Sequence, residues 1–209
     1  MKAENFFSPS DKAAITAAIE QVEKTTSGEI AVMVVDRSDS YPEGSLRAGL
    51  VLGGLFSFII TDLYLDGSLT WFLPLFAAAL LFITWITRYV PGLRRLFVTD
   101  ARMTEMVREQ AVQEFYGKGL YQTRDATAVF FFLSLFERKL WILADKGINS
   151  KLSPDELQEY AADIAAAVRT GRAAEVLCSK IARLGQVLAE HFPPRPDDEN
   201  ELSDQVMTR

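Results

Sequence analysis

Between Arg47 and Arg88 the chain carries no Lys and no Arg, and this gap constrains the fold more than any other feature. Leu69 to Val90 reads LTWFLPLFAAALLFITWITRYV, with one charge near its end. As a helix it spans roughly 33 Å, enough to cross a hydrocarbon core of about 30 Å. Pro74 falls near its first turn, where few backbone bonds are lost. Trp71, Trp85 and Tyr89 stand near the ends, where amphipathic rings favour the membrane interface. Leu46 to Leu65 reads LRAGLVLGGLFSFIITDLYL, with Arg47 placed to snorkel at one end and Asp62 close to the other. A buried core helix is the alternative for either run alone. As a pair they are separated by only Asp66-Gly67-Ser68, which leaves room for a tight hairpin and nothing else. The prediction is a two-helix transmembrane hairpin over 46–65 and 69–90.

Charge sets its orientation. Arg37 and Arg47 precede the pair and Arg88, Arg94, Arg95 and Arg102 follow it, whereas the turn holds only Asp62 and Asp66. Lys and Arg stay on the cytoplasmic side, so the expected location is the inner (cytoplasmic) membrane, with two spans and both termini cytoplasmic. The opening MKAENFFSPSDK has no signal-peptide apolar core. The single cysteine, Cys178, permits no internal disulfide, which suits a reducing compartment. A net charge of −6 argues against a nucleic-acid surface and leaves the lipid bilayer, with another membrane protein, as expected partners.

Outside the hairpin, 1–45 and 91–191 read as one soluble domain. Ser8-Pro9-Ser10-Asp11 is a helix start, followed by Ile15, Ile19 and Val22 on one face. Glu29 to Asp36 is an apolar, β-branched run that reads as a strand buried on both faces. Thr99 to Tyr116 is helical, with Met103, Val107, Ala111 and Phe115 at a spacing of four. Thr127 to Leu135 and Lys139 to Ala144 read as strands joined by Phe136-Glu137-Arg138. Ser153 to Glu156 starts a second capped helix over Leu157, Ala161, Ile164 and Val168, ended by Gly171. Leu177, Ile181, Leu184 and Leu188 stripe the last helix. The segment from Phe192 to Arg209, with five acids, two Arg and Pro193, Pro194 and Pro196, reads as a disordered acidic tail. The fold class is therefore α/β: a small mixed sheet with helices on its faces, strands one and two parallel through a right-handed crossover and strand three antiparallel.

Three stretches resemble a known family: Thr26-Ser27-Gly28-Glu29-Ile30-Ala31-Val32, then Ala126-Thr127-Ala128-Val129-Phe130-Phe131-Phe132, then Trp141-Ile142-Leu143-Ala144-Asp145-Lys146-Gly147-Ile148. Together they are similar to the TPM domain, named for plant thylakoid lumen, photosystem-repair and acetylcholine-receptor accessory proteins. The resemblance implies a three-layer αβα fold. It implies either a metal-dependent acid phosphatase or an assembly and accessory factor, with calcium-type sites described in the fold. Two departures stand against a simple transfer: the anchor here is internal, and the Gly-rich motif after the third strand is reduced to Asp145-Lys146-Gly147-Ile148.

Strand direction offers an independent reading. Parallel strands one and two and an antiparallel third put Glu29, Asp125, Thr127 and Asp145 at one edge of the sheet. Three carboxylates and a hydroxyl are the oxygen ligands that a hard cation, Ca or Mg, takes. The alternative is a set of solvated strand-end acids. Asp36 and Glu137 fall at the opposite edge. Other chemistry finds little support. Cys178 and Arg183 share a helix, whereas a thiolate phosphatase presents its cysteine from a loop of backbone N–H groups. His191 reads as a helix-end residue. No GxSxG or Walker-type loop occurs, Asp36-Arg37-Ser38-Asp39 lacks an Asp-x-Asp spacing, and one Cys and one His are too few for the Cys and His ligand set that a structural zinc site wants. Two classes remain: a membrane-tethered binding or assembly module, and a metal-dependent phosphatase acting on phosphate esters. The scarcity of Lys, Arg and Gly-rich phosphate-cradling features near the acids, with only Arg124 at hand, favours the first.

Overall fold

A computed structural model describes residues 2–195 and 200–209, and these form two compact units, Met1–Ser38 with Thr104–Arg209 and Asp39–Met103.

The first unit is built on a mixed sheet of four strands, β1 (Glu29–Val35), β2 (Ala128–Ser134), β3 (Lys139–Ala144) and β4 (Met207–Thr208), in the order β3-β2-β1-β4. β1 and β2 run parallel in the register Glu29↔Ala128 to Val35↔Ser134, and β3 returns antiparallel to β2. Every residue of β1 and β2 is buried, as their unbroken apolar runs require. The period of two sorts them between two cores. Ile30, Val32, Val34, Val129, Phe131 and Leu133 face one way, toward α1 (Pro9–Glu23), α7 (Pro154–Arg169) and α8 (Ala173–His191). Ala31, Met33, Val35, Ala128, Phe130 and Phe132 face the other, toward Val107, Ala111 and Phe115 of α5 (Asp100–Gly117). Helices thus cover both faces of the sheet. Each large side chain so enclosed contributes roughly 1.5–3 kcal/mol of burial free energy.

Local signals fix where the helices begin. Ser8 and Asp11 form a reciprocal capping box on α1, and Ser153 and Glu156 form another on α7. α7 gives way to Gly171, whose φ of 72° lies in the left-handed region that glycine enters without strain. A short helix, α6 (Lys146–Asn149), follows β3 with Asp145 as its N-cap.

The second unit contains α2 (Pro42–Tyr64), α3 (Leu69–Ile86) and α4 (Pro91–Leu96). α2 and α3 are long and apolar enough to cross a membrane. The turn between them uses Asp66 and Gly67 at positive φ. Their limits differ from 46–65 and 69–90. Pro42 sits at the first position of α2 and starts it four residues earlier. α3 stops four residues earlier, where the Thr87 hydroxyl bonds the Thr84 carbonyl and Pro91 begins α4. At 18 residues α3 is roughly 27 Å long, near the lower limit for a span.

Small residues form the seam of this hairpin. Ser45, Gly49, Gly53, Ser57 and Thr61 recur every fourth position of α2 and are buried. A Cβ at Gly49 would lie 2.4 Å from the Thr84 hydroxyl oxygen and 2.8 Å from a Leu80 methyl, and one at Gly53 would lie 3.1 Å from the Leu80 nitrogen. The backbones therefore touch, as in small-xxx-small pairs within lipid. Large apolar side chains point away from the seam: Phe58, Leu63 and Leu81 are 62%, 67% and 71% exposed. Next to the helix ends, Arg102 pairs with Asp39 at 3.5 Å and Glu43 at 3.4 Å, and buried Arg94 donates to the Ser40 carbonyl.

Within the segment read as a disordered acidic tail, the described residues at its end lie along the sheet. Met207–Thr208 pair in parallel with Met33 and Val34. Arg209 extends that ladder, donating its N–H to the Val34 carbonyl and accepting from the Asp36 N–H. Val206 and Met207 pack into opposite cores, so these two apolar residues of a largely polar stretch are held against an existing core. Pro196 lies outside the described residues.

Candidate functional site

The directions of β1, β2 and β3 bring Glu29, Asp125, Thr127 and Asp145 to one end of the sheet, as their sequence positions require. Asp36 and Glu137 lie at the other end. There Asp36 accepts from the Ala3 N–H at 2.5 Å, and fully buried Glu137 accepts from the Ser38 N–H at 3.0 Å and from the Ser134 hydroxyl.

Each of the four predicted residues is engaged in its own contact. Glu29 is buried and accepts the Leu202 N–H at 3.3 Å. Asp125 forms an ion pair with Arg195. The Thr127 hydroxyl donates to the Ser27 carbonyl at 2.9 Å. Asp145 spends one carboxylate oxygen capping α6 through the Lys146 N–H at 2.7 Å, while its other oxygen is buried without a hydrogen-bond partner. Gly147 allows the adjoining loops to meet: a Cβ there would lie 2.7 Å from the Ala126 carbonyl oxygen and 2.9 Å from that of Asp125. Among the described residues no group of three or more His, Cys, Asp or Glu side chains is placed to share a metal ion.

The C-terminal segment makes two of these four contacts. It leaves α8 at Phe192, whose carbonyl accepts from the Ser27 N–H and the Thr26 hydroxyl. It then supplies Arg195 to Asp125, the Glu201 carboxylate to the Arg124 N–H, and Leu202 to Glu29. The Thr16 hydroxyl donates to the Asp204 carbonyl, and the Arg209 guanidinium reaches Glu114.

This strap uncovers a residue that sequence reasoning passed over. Glu23, at the last turn of α1, accepts the Ile30 N–H at 3.0 Å. Burial pushes its carboxyl up to about 8, the neighbouring Glu29 and Asp204 add to the shift, and the Ile30 bond opposes it. In the sequence Glu23 is only a helix-end acid beside Val22; its neighbour Asp204 is 181 positions away, and no periodicity links them. Burial also pushes the Cys178 thiol up, the opposite of an activated nucleophile. His191 occupies the last turn of α8, where a helix-end residue was expected.

Comparison with known proteins bears on the fold. A family model described as the TPM domain matches residues 1–48. A solved structure, the NMR structure of BA42 protein from the psychrophilic bacteria Bizionia argentinensis sp. nov., is similar with a TM-score of 0.62 at 20% identity, covering 100% of this chain and 99% of that one. No curated protein matches.

Proposed function

We propose that the chain is a TPM-type, membrane-anchored module whose α/β domain holds a membrane-protein partner at the cytoplasmic face; the TPM domain model that matches residues 1–48 supports the family part of this reading. The observation that carries this reading is the apolar exterior of α2 and α3. A hairpin that buries Gly and Ser and exposes Phe58, Leu63 and Leu81 is built for lipid rather than water. The Arg residues flanking the pair and the acids at its turn favour a cytoplasmic domain. In a Cys178→Ser background, Ser68→Cys at the turn is expected to label in intact cells with a membrane-impermeant maleimide. Lys118→Cys on the domain is expected to label only after permeabilisation. The reversed pattern would place the domain on the other side.

The buried, unpartnered oxygen of Asp145 favours a second reading, a divalent-metal site serving a phosphatase. The donor set is chemically right, being all oxygen. The arrangement does not fit a shared cation, because Asp125 is held by Arg195 and Glu29 accepts from Leu202. No catalytic step is therefore derived through a metal. The two readings part in a thermal melt of the detergent-solubilised chain. The adapter reading expects millimolar Ca or Mg to leave the melting temperature unchanged. A metal-dependent rise that Asp145→Asn abolishes would establish a cation site, since a ligand at 100 times its Kd stabilises by about 2.7 kcal/mol.

A further inference from the structure

The outer edge of β1 is occupied by the chain's own C-terminal segment, and the way it is held differs from the rest of the sheet. β1 pairs with β2 along seven residues but with β4 along two. Farther back along β1 the Ile30 N–H is taken by a side chain, Glu23, rather than by a strand. The remaining strap contacts are isolated polar bonds: Thr16 to Asp204, Arg124 to Glu201 and Arg195 to Asp125. The Arg209 side chain that meets Glu114 is 69% exposed, while the Glu114 side chain is only 10% exposed. Among residues 200–209, Leu202, Val206 and Met207 supply the apolar anchorage. An element with so short a ladder belongs to the low-stability end of a fold, which opens locally without global unfolding.

The strap also records what the edge recognises. Its main chain runs parallel to β1 and takes the Val34 carbonyl and the Asp36 N–H through Arg209. Val206 and Met207, adjacent in sequence, enter opposite cores, and the cation two positions later reaches Glu114. Main-chain pairing for affinity, with alternate side-chain pockets for selectivity, is how extended peptides add to a sheet edge.

We propose that the outer edge of β1, with Glu114 beside it, is a docking groove for an extended segment of a partner membrane protein, and that residues 200–209 are its displaceable internal occupant. The incoming segment runs parallel to β1 and carries two adjacent apolar residues followed, two positions after the second, by Arg or Lys. A segment that pairs along more of β1 than the two positions used by β4 gains ladder bonds the strap does not make. The proposal deepens the adapter reading by naming what the adapter holds. The maleimide labelling can succeed while this fails, so the two are separable.

The probe is a fluorescent synthetic peptide of residues 200–209, added to the full chain in lipid nanodiscs. Met207→Asp with Arg209→Glu loosens the strap. The peptide is expected to bind this variant about tenfold or more tighter than it binds the parent chain, a difference of about 1.4 kcal/mol. Adding Glu114→Lys to the variant is expected to weaken binding of the peptide, and a peptide with Glu in place of its final Arg is expected to bind this variant tighter than the unaltered peptide does. Near-UV circular dichroism and slow exchange of β2 amides show that each variant is folded. In the unaltered chain, amides of residues 207–209 are expected to exchange well before those of β2. Equal affinity for the parent and loosened chains, or binding indifferent to the charge swap, would overturn the groove. So would exchange at 207–209 as slow as in β2, which would make the strap a permanent strand. Dimerisation of the loosened chain through its own segment, seen by light scattering, would identify a second copy as the occupant and overturn the assignment to a partner.

Discussion

Replacing Gly185 with leucine is expected to destabilise the domain by about 3 kcal/mol or more, at the upper end of what overpacking costs. Gly185 is buried on α8 where that helix crosses α1. A Cβ at this position would stand 2.5 Å and 2.6 Å from the two methyls of Val22 and 3.1 Å from its Cβ. Valine in a helix keeps essentially one side-chain rotamer, so those methyls cannot swing aside and the helices must separate instead. Separation opens the core between Ile15, Ile19, Leu184 and Leu188, all of which are fully or almost fully enclosed. For a chain of this size the loss corresponds to a melting temperature lower by roughly 6–12 °C. Gly185→Ala separates two effects, since alanine gains about 1 kcal/mol of helix propensity over glycine and the steric cost has to exceed that. Val22→Ala removes the obstructing methyls. In a double-mutant cycle, Gly185→Ala with Val22→Ala is expected to be at least about 1 kcal/mol more stable than the sum of the single changes predicts. Additive melting shifts would mean that Val22 is not what excludes a side chain at 185.

Glu23→Gln is expected to stabilise the protein above neutral pH and to flatten its dependence on pH. The folded-state value of about 8 lies above the ordinary 4.5 of an unfolded glutamate, so the folded chain binds this proton more tightly than the unfolded chain. Below about pH 4.5 both states are protonated and the shift has no effect. As pH rises from there to about 8, the unfolded state ionises and the folded state does not, and stability falls. Above pH 8 the loss is complete. Glutamine cannot ionise and still offers an oxygen to the Ile30 N–H, so the slope contributed by this site disappears. Glu23 is partly open to solvent, and with allowance for screening the expected gain at pH 8.5 is on the order of 2 kcal/mol. Melting curves between pH 5 and pH 9 check it. Parallel pH profiles for Glu23→Gln and the parent chain would show that Glu23 ionises normally in the fold.

Much of this architecture is legible before folding because its signals are local. The capping residues Ser8 and Ser153 mark helix starts, and the β-branched run from Glu29 to Val35 marks a strand enclosed on both sides. Strand directions then put Glu29, Asp125, Thr127 and Asp145 at a common end. Whether those oxygens converge is a different matter, decided by partners that arrive from elsewhere in the chain. Arg195 and Leu202 come from a proline-rich acidic segment whose two-residue strand is too short to show any period. Glu23 and Asp204 become neighbours only because that segment folds back. The helix limits shifted for a local reason that hydropathy does not register: Pro42 and Pro91 punctuate the chain inside stretches whose composition changes gradually.

The place where the hairpin interrupts the chain governs the order of events during synthesis. β1 is complete at Val35, and its neighbour β2 begins only at Ala128, roughly 90 residues later, with α2 and α3 between them. Ribosomes add about 5–20 residues per second, so β1 waits roughly 5–20 s for its first hydrogen-bonding partner. Within that wait both apolar helices leave the exit tunnel, and a hairpin that inserts as proposed enters the bilayer before any of the sheet exists. The run from Ile30 to Val35, wholly apolar and ready to form a strand, meanwhile has no complement. Pairing of α2 with α3 brings the two ends of the intervening stretch together, and this substitutes for part of the closure entropy that a long loop imposes. β4 follows β2 and β3 along the chain, so its pairing with β1 is the latest of the three that synthesis makes available.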